Sequence, residues 1–367
     1  MIEFIPLNKN SLLEYIHSEN FGKGNDIPIT IHRALSHSRN PRLEEEDVIL
    51  LLAMEHDILV GYLGILPDSI FLKNRVEKMG WLSCLWVSEQ ARGKGISIRL
   101  ITKSLALWNN KILSADYVPF TKMVYDKTKQ FHDTPFTKNG LRLYIKSDLQ
   151  TILPPKKKIF TKTKWLLAIF DFFLNLLLNI RLYFFKKEVP KLQFEYVNQI
   201  DDEINDFIST KQENEFFKRK KEELNWIIKN PWILSAPQKD SLNQKYYFSS
   251  TAKSFEYHCV KIKNTSNQLI AFMIFTNRNN TLKVPYIYHD NCLDVVVKTL
   301  NYHLIHWEIK TFTTYHSELI QALKNSKTPA IFKKEIKRNY MVSNLLKDEI
   351  MDSDMEIQDG DGDCCFT

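Results

Sequence analysis

Residues 165–185 read WLLAIFDFFLNLLLNIRLYFF, a run long enough to cross a bilayer as a helix. Its interruptions decide how it can be used. Ala168, Asp171, Asn175 and Asn179 recur every three or four residues, so a helix gathers them into one narrow, weakly polar stripe on an otherwise apolar cylinder. An aspartate at bilayer depth costs about 2.5–3.5 kcal/mol on the insertion scale, and lysines flank the run at both ends, so no charge asymmetry sets an orientation. The run is expected to be an inter-domain helix, buried on its apolar sides with its polar stripe toward solvent. A helix over 164–187 in peripheral contact with an anionic leaflet is the alternative, and a true span the third.

The run and the break at Pro154 and Pro155 divide the 367 residues into 1–150, a basic linker at 151–190, a second globular stretch at 191–346 and a tail at 347–367. That length allows two domains. With 10 Gly, 13 Pro and 44% hydrophobic residues, collagenous, low-complexity and wholly disordered classes are excluded. Five cysteines without metal-ligand spacing indicate neither a disulfide framework nor a zinc ribbon, and MIEFIPLNKN has no signal-peptide pattern, so a reducing cytoplasm is expected. The net charge of +7 is spread through the middle and second half rather than gathered on one recognition element, and no nucleic-acid partner is expected. The tail holds eight acidic residues against one basic, ends DGDGDCCFT, and is expected to be disordered.

Residues 1–150 alternate strand and helix patterns. Strand runs cover 2–7, 48–54, 58–66, 81–87, 112–118 and 141–145; helical spacing covers 11–18, 30–38, 98–108 and 121–131. Glu55, His56 and Asp57 read as a hairpin turn. The fold class is α/β (α+β): two domains, each a mixed central sheet flanked by helices, joined by the hydrophobic helix. Residues 191–346 follow a similar order, with strands at 194–197, 246–248, 257–262, 269–276, 284–288 and 312–315 and helices at 201–208, 216–228 and 293–307, but without a visible sequence repeat.

The chemistry is concentrated in LWVSEQARGKGISIRL, from Leu85 to Leu100. Arg92, Gly93, Lys94, Gly95, Ile96 and Ser97 lie between a buried strand and an amphipathic helix, where backbone N–H groups and a helix N-terminus converge on an anion. Gly93 and Gly95 permit positive φ and close approach of a pyrophosphate. There is neither a P-loop nor a Rossmann fingerprint. The run resembles the acetyl-CoA loop of the GCN5-related N-acetyltransferases, the GNAT superfamily, whose pattern is R/Q-x-x-G-x-G/A after a strand ending in Val. Val87 takes the strand end, Arg92 the first position, Gly95 the middle glycine and Ser97 the last, where Gly or Ala is usual; Glu89 stands where proline is common.

The resemblance implies acyl transfer from acetyl-CoA to a primary amine of a small molecule or amino sugar. The strand backbone near Leu85 and Val87 would hold the acyl carbonyl and the pantetheine. TKMVYDKTKQF resembles the segment that supplies this family's tyrosine acid, with Tyr125 in that position and Phe131 one residue late. A phenol suits protonation of a departing thiolate; a core tyrosine is the alternative. Glu77, Glu89 and His32 are the candidate bases. The second half has no such glycine motif, so the resemblance implies a tandem protein whose second domain is degenerate. KRKKEELNWIIKNPW resembles a segment of tandem proteins related to the aminoacyl-transferring peptidoglycan enzymes, so an aminoacyl transferase remains an alternative, as does a non-catalytic GNAT-like binding protein. His303 and His306 lack an acidic or cysteine partner at metal spacing, and no metal is expected.

Overall fold

The computed structural model describes residues 1–73, 75–134, 138–188, 193–235 and 241–366. In chain order the strands are β1 Ile2–Leu7, β2 Leu50–Glu55, β3 Ile58–Phe71, β4 Val76–Val87, β5 Ile112–Ala115, β6 Phe131–Asp133, β7 Lys138–Tyr144 and β8 Phe194–Val197. A two-residue pair follows, β9 Leu234–Ser235 and β10 Thr251–Ala252, and then β11 Phe255–Lys263, β12 Leu269–Arg278, β13 Thr281–His289, β14 Thr311–Thr314, β15 Phe332–Arg338 and β16 Tyr340–Ser343. The helices are α1 Lys9–His17, α2 Ile31–Ser38, α3 Ile96–Leu107, α4 Pro119–Thr128, α5 Leu149–Ile152, α6 Lys158–Lys162, α7 Lys164–Glu188, α8 Asp202–Ser209, α9 Lys221–Lys229, α10 Leu293–His306, α11 Ser317–Asn325 and α12 Lys347–Met351.

The chain forms two compact units, and their boundaries differ from the sequence divisions. The first comprises Met1–Lys138, Gln199–Phe255 and Arg338–Thr367; the second comprises Asn139–Asn198 and Glu256–Lys337. The first unit's sheet runs β1-β2-β3-β4-β5-β16-β6, with β4 and β5 parallel. The second runs β15-β7-β14-β13-β12-β11-β8, with β13 and β14 parallel. Periodicity identifies a strand but not its partner. β7 falls within 1–150 yet pairs with β14, whereas β16, from the far end of the chain, pairs antiparallel with both β5 and β6.

Both faces of the first sheet are covered, which explains its unbroken apolar strands. Along β2, Leu51 and Ala53 face a core with Leu100, Ile101 and Leu105 of α3, while Leu50 and Leu52 face one with Leu12 and Ile16 of α1 and Ala34 of α2. His56 and Asp57, both at positive φ, make the tight turn between β2 and β3. In the second unit, Leu141, Leu143, Met273, Phe275 and Val284 meet Val296, Leu300 and Leu304 of α10. Tyr246–Phe248 is not a strand; Tyr246 follows a short 3-10 turn and bridges to Ile27.

Two further expectations are overturned. Helix α7 is not buried: most of its apolar side chains are exposed, and of its polar stripe Asp171 and Asn175 face the protein while Asn179 is exposed. Asp171 and Asn175 hydrogen-bond the 147–150 segment, which explains why those residues interrupt the run. The acidic tail is ordered through Phe366, with Asp361, Cys365 and Phe366 buried. Asp361 and Asp363 meet buried partners, whereas Asp348, Asp352, Asp354 and Glu356 stay exposed to water.

Candidate active site

β4 separates from β5 after three residues. The parallel pairing covers only Gly80–Leu82 against Ile112–Ser114, although β4 continues to Val87. On its other edge β4 keeps its pairing with β3 through a register shift between Tyr62 and Gly64, and Cys84 sits at φ 57 beside that shift. A bulge re-aims local backbone out of the ladder. Ser83–Val87, including the predicted Leu85 and Val87, therefore present main chain to a cleft that no described strand fills.

The cleft leads to the glycine turn. β4 passes through a 3-10 turn at Glu89–Ala91 into Arg92–Gly95, and α3 begins at Ile96 with Gly95 as its left-handed N-cap. Gly93 and Gly95 have φ of 84° and 70°, and an added Cβ at either would meet nothing within 4 Å. Packing does not require these glycines; the backbone conformation and the open space outside them do. The amides of Arg92 and Lys94 make turn hydrogen bonds to Glu89 and Ala91, while those of Gly93, Gly95, Ile96 and Ser97 take no such acceptor among the described residues. First-turn amides have no intrahelical acceptor, so this end of α3 presents N–H groups and the positive end of the helix dipole outward. Lys94 pairs with Glu55 at 2.7 Å and Arg92 with Glu89 at 3.4 Å, both exposed contacts that a charged ligand can displace. Ile96 is buried against Gly61 of β3, which fixes the helix start to the sheet.

Tyr125 of α4 is buried, its hydroxyl 2.9 Å from Ser114 Oγ, on the last residue of β5 that pairs with β4. Burial pushes its pKa up to about 12, Ser114 opposes this, and the charge of Asp363 adds to it. The phenol is therefore protonated at neutral pH.

Asp363 is the residue that sequence reasoning missed. Its carboxylate accepts from the Ser83 hydroxyl at 2.6 Å, where β4 leaves β5. Burial raises its pKa, against Ser83 and Arg33, which lower it. Arg33 of α2 donates to Ser83 Oγ, Cys84 Sγ and Tyr246 Oη, each at 2.8 Å, with its guanidinium 3.7 Å over the Trp232 ring. The tail is anchored on both sides of Asp363. Asp361 pairs with Arg219 at 3.2 Å, and Arg219 binds Asp68 through both terminal nitrogens at 2.7 and 2.9 Å. Arg42 closes on Asp68 too, and Trp81 donates to it at 2.9 Å. Phe366 stacks on Trp232 at 4.2 Å with planes 4° apart. Gly362, at φ 71, lies where a Cβ would come within 3.0 Å of the Trp81 ring. The DGDGDCCF composition carried a usable signal: small residues for close approach, then an apolar end that a solvated tail does not need.

The candidate bases are not brought to this cleft together. Glu77 stands near the start of β4, seven residues before Cys84, paired with Lys111 and Arg75. Hydrogen bonds from those cations hold its pKa below the usual range, which suits an ion pair rather than a base. Glu89 is exposed beside Arg92. His32 Nε2 lies 2.9 Å from the Trp232 carbonyl. No group of three His, Cys, Asp or Glu side chains arranged to hold a metal is found among the described residues.

No protein-family model and no curated protein matches the sequence. Among solved structures, the chain is similar to a GCN5-related N-acetyltransferase from Anabaena variabilis, with 10% identity, a TM-score of 0.52 and coverage of 95% of this chain and 74% of that one. It is similar to a probable N-acyltransferase from Enterococcus faecalis at 11% identity, TM-score 0.52 and the same coverages. A Saccharomyces cerevisiae N-myristoyltransferase with bound myristoyl-CoA follows at 11% identity and TM-score 0.49, covering 94% of this chain and 79% of that one. At such identities the likeness is one of fold, and that fold is the GNAT fold, carried by two GNAT-like units.

Proposed function

We propose that the first unit is an acyl-CoA-dependent N-acyltransferase that moves an acetyl group from acetyl-CoA to a primary amine of a small molecule or amino sugar. The observation that carries this reading is the continuity of the glycine turn with the unpaired end of β4. A diphosphate at Gly93–Ser97 would be held by free amides and the α3 terminus, and a pantetheine running from it would reach the cleft edge of Leu85–Val87.

The chemistry then follows from the side chains at the end of that edge. Asp363 takes the proton from the attacking amine, its basicity raised by burial. Main-chain N–H of the β4 bulge stabilises the oxyanion of the tetrahedral intermediate. When that intermediate collapses, the C–S bond breaks and Tyr125 gives its proton to the departing thiolate. A short acyl group suits this site, because a long chain continuing past Ser83 would meet Arg33 and Asp363 rather than an apolar channel.

Calorimetry with CoA on the wild-type protein and Gly95→Trp tests the donor assignment. The variant is expected to bind at least about tenfold more weakly, since its side chain enters the ligand's space at a φ that disfavours it. Equal binding by both proteins refutes the reading.

A further inference from the structure

Helix α7 is inverted with respect to the usual surface helix. Measured at 100° per residue from Asp171, its apolar side chains from Trp165 to Phe184 fill an outward arc of about 160° centred on Ile180. Eleven of them are 48–67% exposed. Asn179 and Arg181 mark the two borders of the arc, and Arg181 turns back to donate to the Pro329 carbonyl at 2.7 Å. The opposite face is bound to the second unit. Asp171 accepts from the Ser147 hydroxyl and the Leu149 and Gln150 amides at 2.6, 2.9 and 3.0 Å, Asn175 exchanges two hydrogen bonds with the Ser147 backbone, and Leu182 and Phe185 are buried. A contiguous apolar surface of this size on a folded unit marks an interaction site.

We infer that α7 lies in the plane of an anionic membrane surface, with the Ile180-centred arc in the acyl boundary and its Asp171 face on the protein. The charges select this occupant. Residues 151–190 hold eight basic and two acidic residues, and one of the two acids, Asp171, is turned inward. Lys156, Lys157 and Lys158 are exposed just ahead of the helix, and Lys186 and Lys187 follow the apolar run. A basic, aromatic-rich amphipathic helix of this kind binds the headgroup boundary. A second copy fits less well: with both ends basic, parallel and antiparallel pairing alike set positive charge against positive charge. A crossing helix fits less well too, because Asp171 and Asn175 at its middle would have to leave the five hydrogen bonds that dock it.

Flotation of the full chain with vesicles of phosphatidylcholine alone, and with about 30% phosphatidylglycerol added, tests the inference. Binding is expected to the anionic vesicles, to fall at least about tenfold at 0.5 M salt, and to be lost in Phe173→Glu/Leu177→Glu, whose changes lie wholly on the outward arc. Because that variant's fold must be intact for the loss to count, Lys156→Glu/Lys157→Glu/Lys158→Glu gives a second reading: it should lose the preference for anionic vesicles while keeping the wild-type thermal midpoint. Equal binding to neutral and anionic vesicles overturns the charge selection. Resistance to alkaline carbonate extraction overturns the in-plane arrangement. A salt-stable dimer in solution that ignores both vesicle types assigns the arc to a second copy and overturns the inference.

Discussion

The two units use the same strand–turn–helix–strand arrangement to different ends. In each, a parallel pair is short and the earlier strand runs on: β4 beyond Leu82, and β13 beyond Lys283, where its pairing with β14 stops. Each has a register shift on the opposite edge, at Tyr62/Gly64 and at Ile274/Thr276. The turns that follow differ. The first unit enters α3 through Gly93 and Gly95 with Arg92, Lys94 and Arg99 around them. The second enters α10 through Asp290, Asn291 and Cys292, with Asp294 in the first helical turn. Acidic groups at a helix N-terminus satisfy the dipole internally and repel a phosphate. The extended end of β13 is also well covered: Tyr286, Ile287 and Tyr288 are buried. An opened strand pair is thus a property of both units, and on the proposed function a donor site arises only where the turn carries glycine and positive charge.

Asp363→Asn breaks the comparison most severely if the first unit is catalytic. The amide keeps a hydrogen-bond acceptor for Ser83 but removes the base, so kcat is expected to fall by about 10²–10⁴ with CoA affinity unchanged. The wild-type rate should rise with pH through the raised pKa of Asp363, and the variant should lose that limb. Steady-state kinetics over a pH series read both effects. An unaltered kcat would return Asp363 to a structural role beside Arg33 and Ser83.

The second unit's distinguishing load is carried by packing, and pH exposes it. His303 of α10 is buried, with Nδ1 2.7 Å from the Thr299 carbonyl and Nε2 2.9 Å from Tyr196 Oη. Burial lowers its pKa to about 4, so it is neutral in the folded state at pH 7. A depressed histidine pKa means that the unfolded chain binds the proton first as pH falls. Stability from this group is therefore complete above about pH 6.5 and is lost between there and pH 4, by about 3 kcal/mol at most. His303→Gln should flatten that part of a denaturation-against-pH curve. An unchanged slope removes His303 as the cause.

The glycine turn, the strand before it and the helix after it were legible because all their determinants are local: apolar period, Gly93 and Gly95, and the helical spacing of Ile98, Ile101 and Leu105. Asp363 was not, because its meaning comes from Ser83, 280 positions earlier, and from Arg219, which grips its neighbour Asp361. Eight carboxyl groups in one stretch read as solvated, and only the partners of Asp361 and Asp363 set those two apart from the four that are exposed. The exchange of β7 and β16 between sheets was hidden for the same reason, since a four-residue strand such as Tyr340–Ser343 specifies burial but not which strands it lies between. In α7 the polar stripe was legible but the direction expected for it was wrong, because one stripe of Asp and Asn serves water or a hydrogen-bonding turn equally well.

The smallest expected effect makes the sharpest use of the two turns. Asp290→Lys/Asp294→Lys in the second unit gives the N-terminus of α10 a positive field comparable to that of α3 while leaving Asn291 and Cys292 in place. If charge alone made the first unit's site, this variant would gain a second CoA equivalent in calorimetry. No second equivalent is expected. The Asp290 amide already donates to the Ile270 carbonyl at 2.8 Å, and the Val295 and Val296 amides both turn to Cys292, so the added lysines would attract an anion to a turn with little free main chain to hold it. A stoichiometry near two would show that the glycines of the first unit are dispensable and that electrostatics alone separates the two halves.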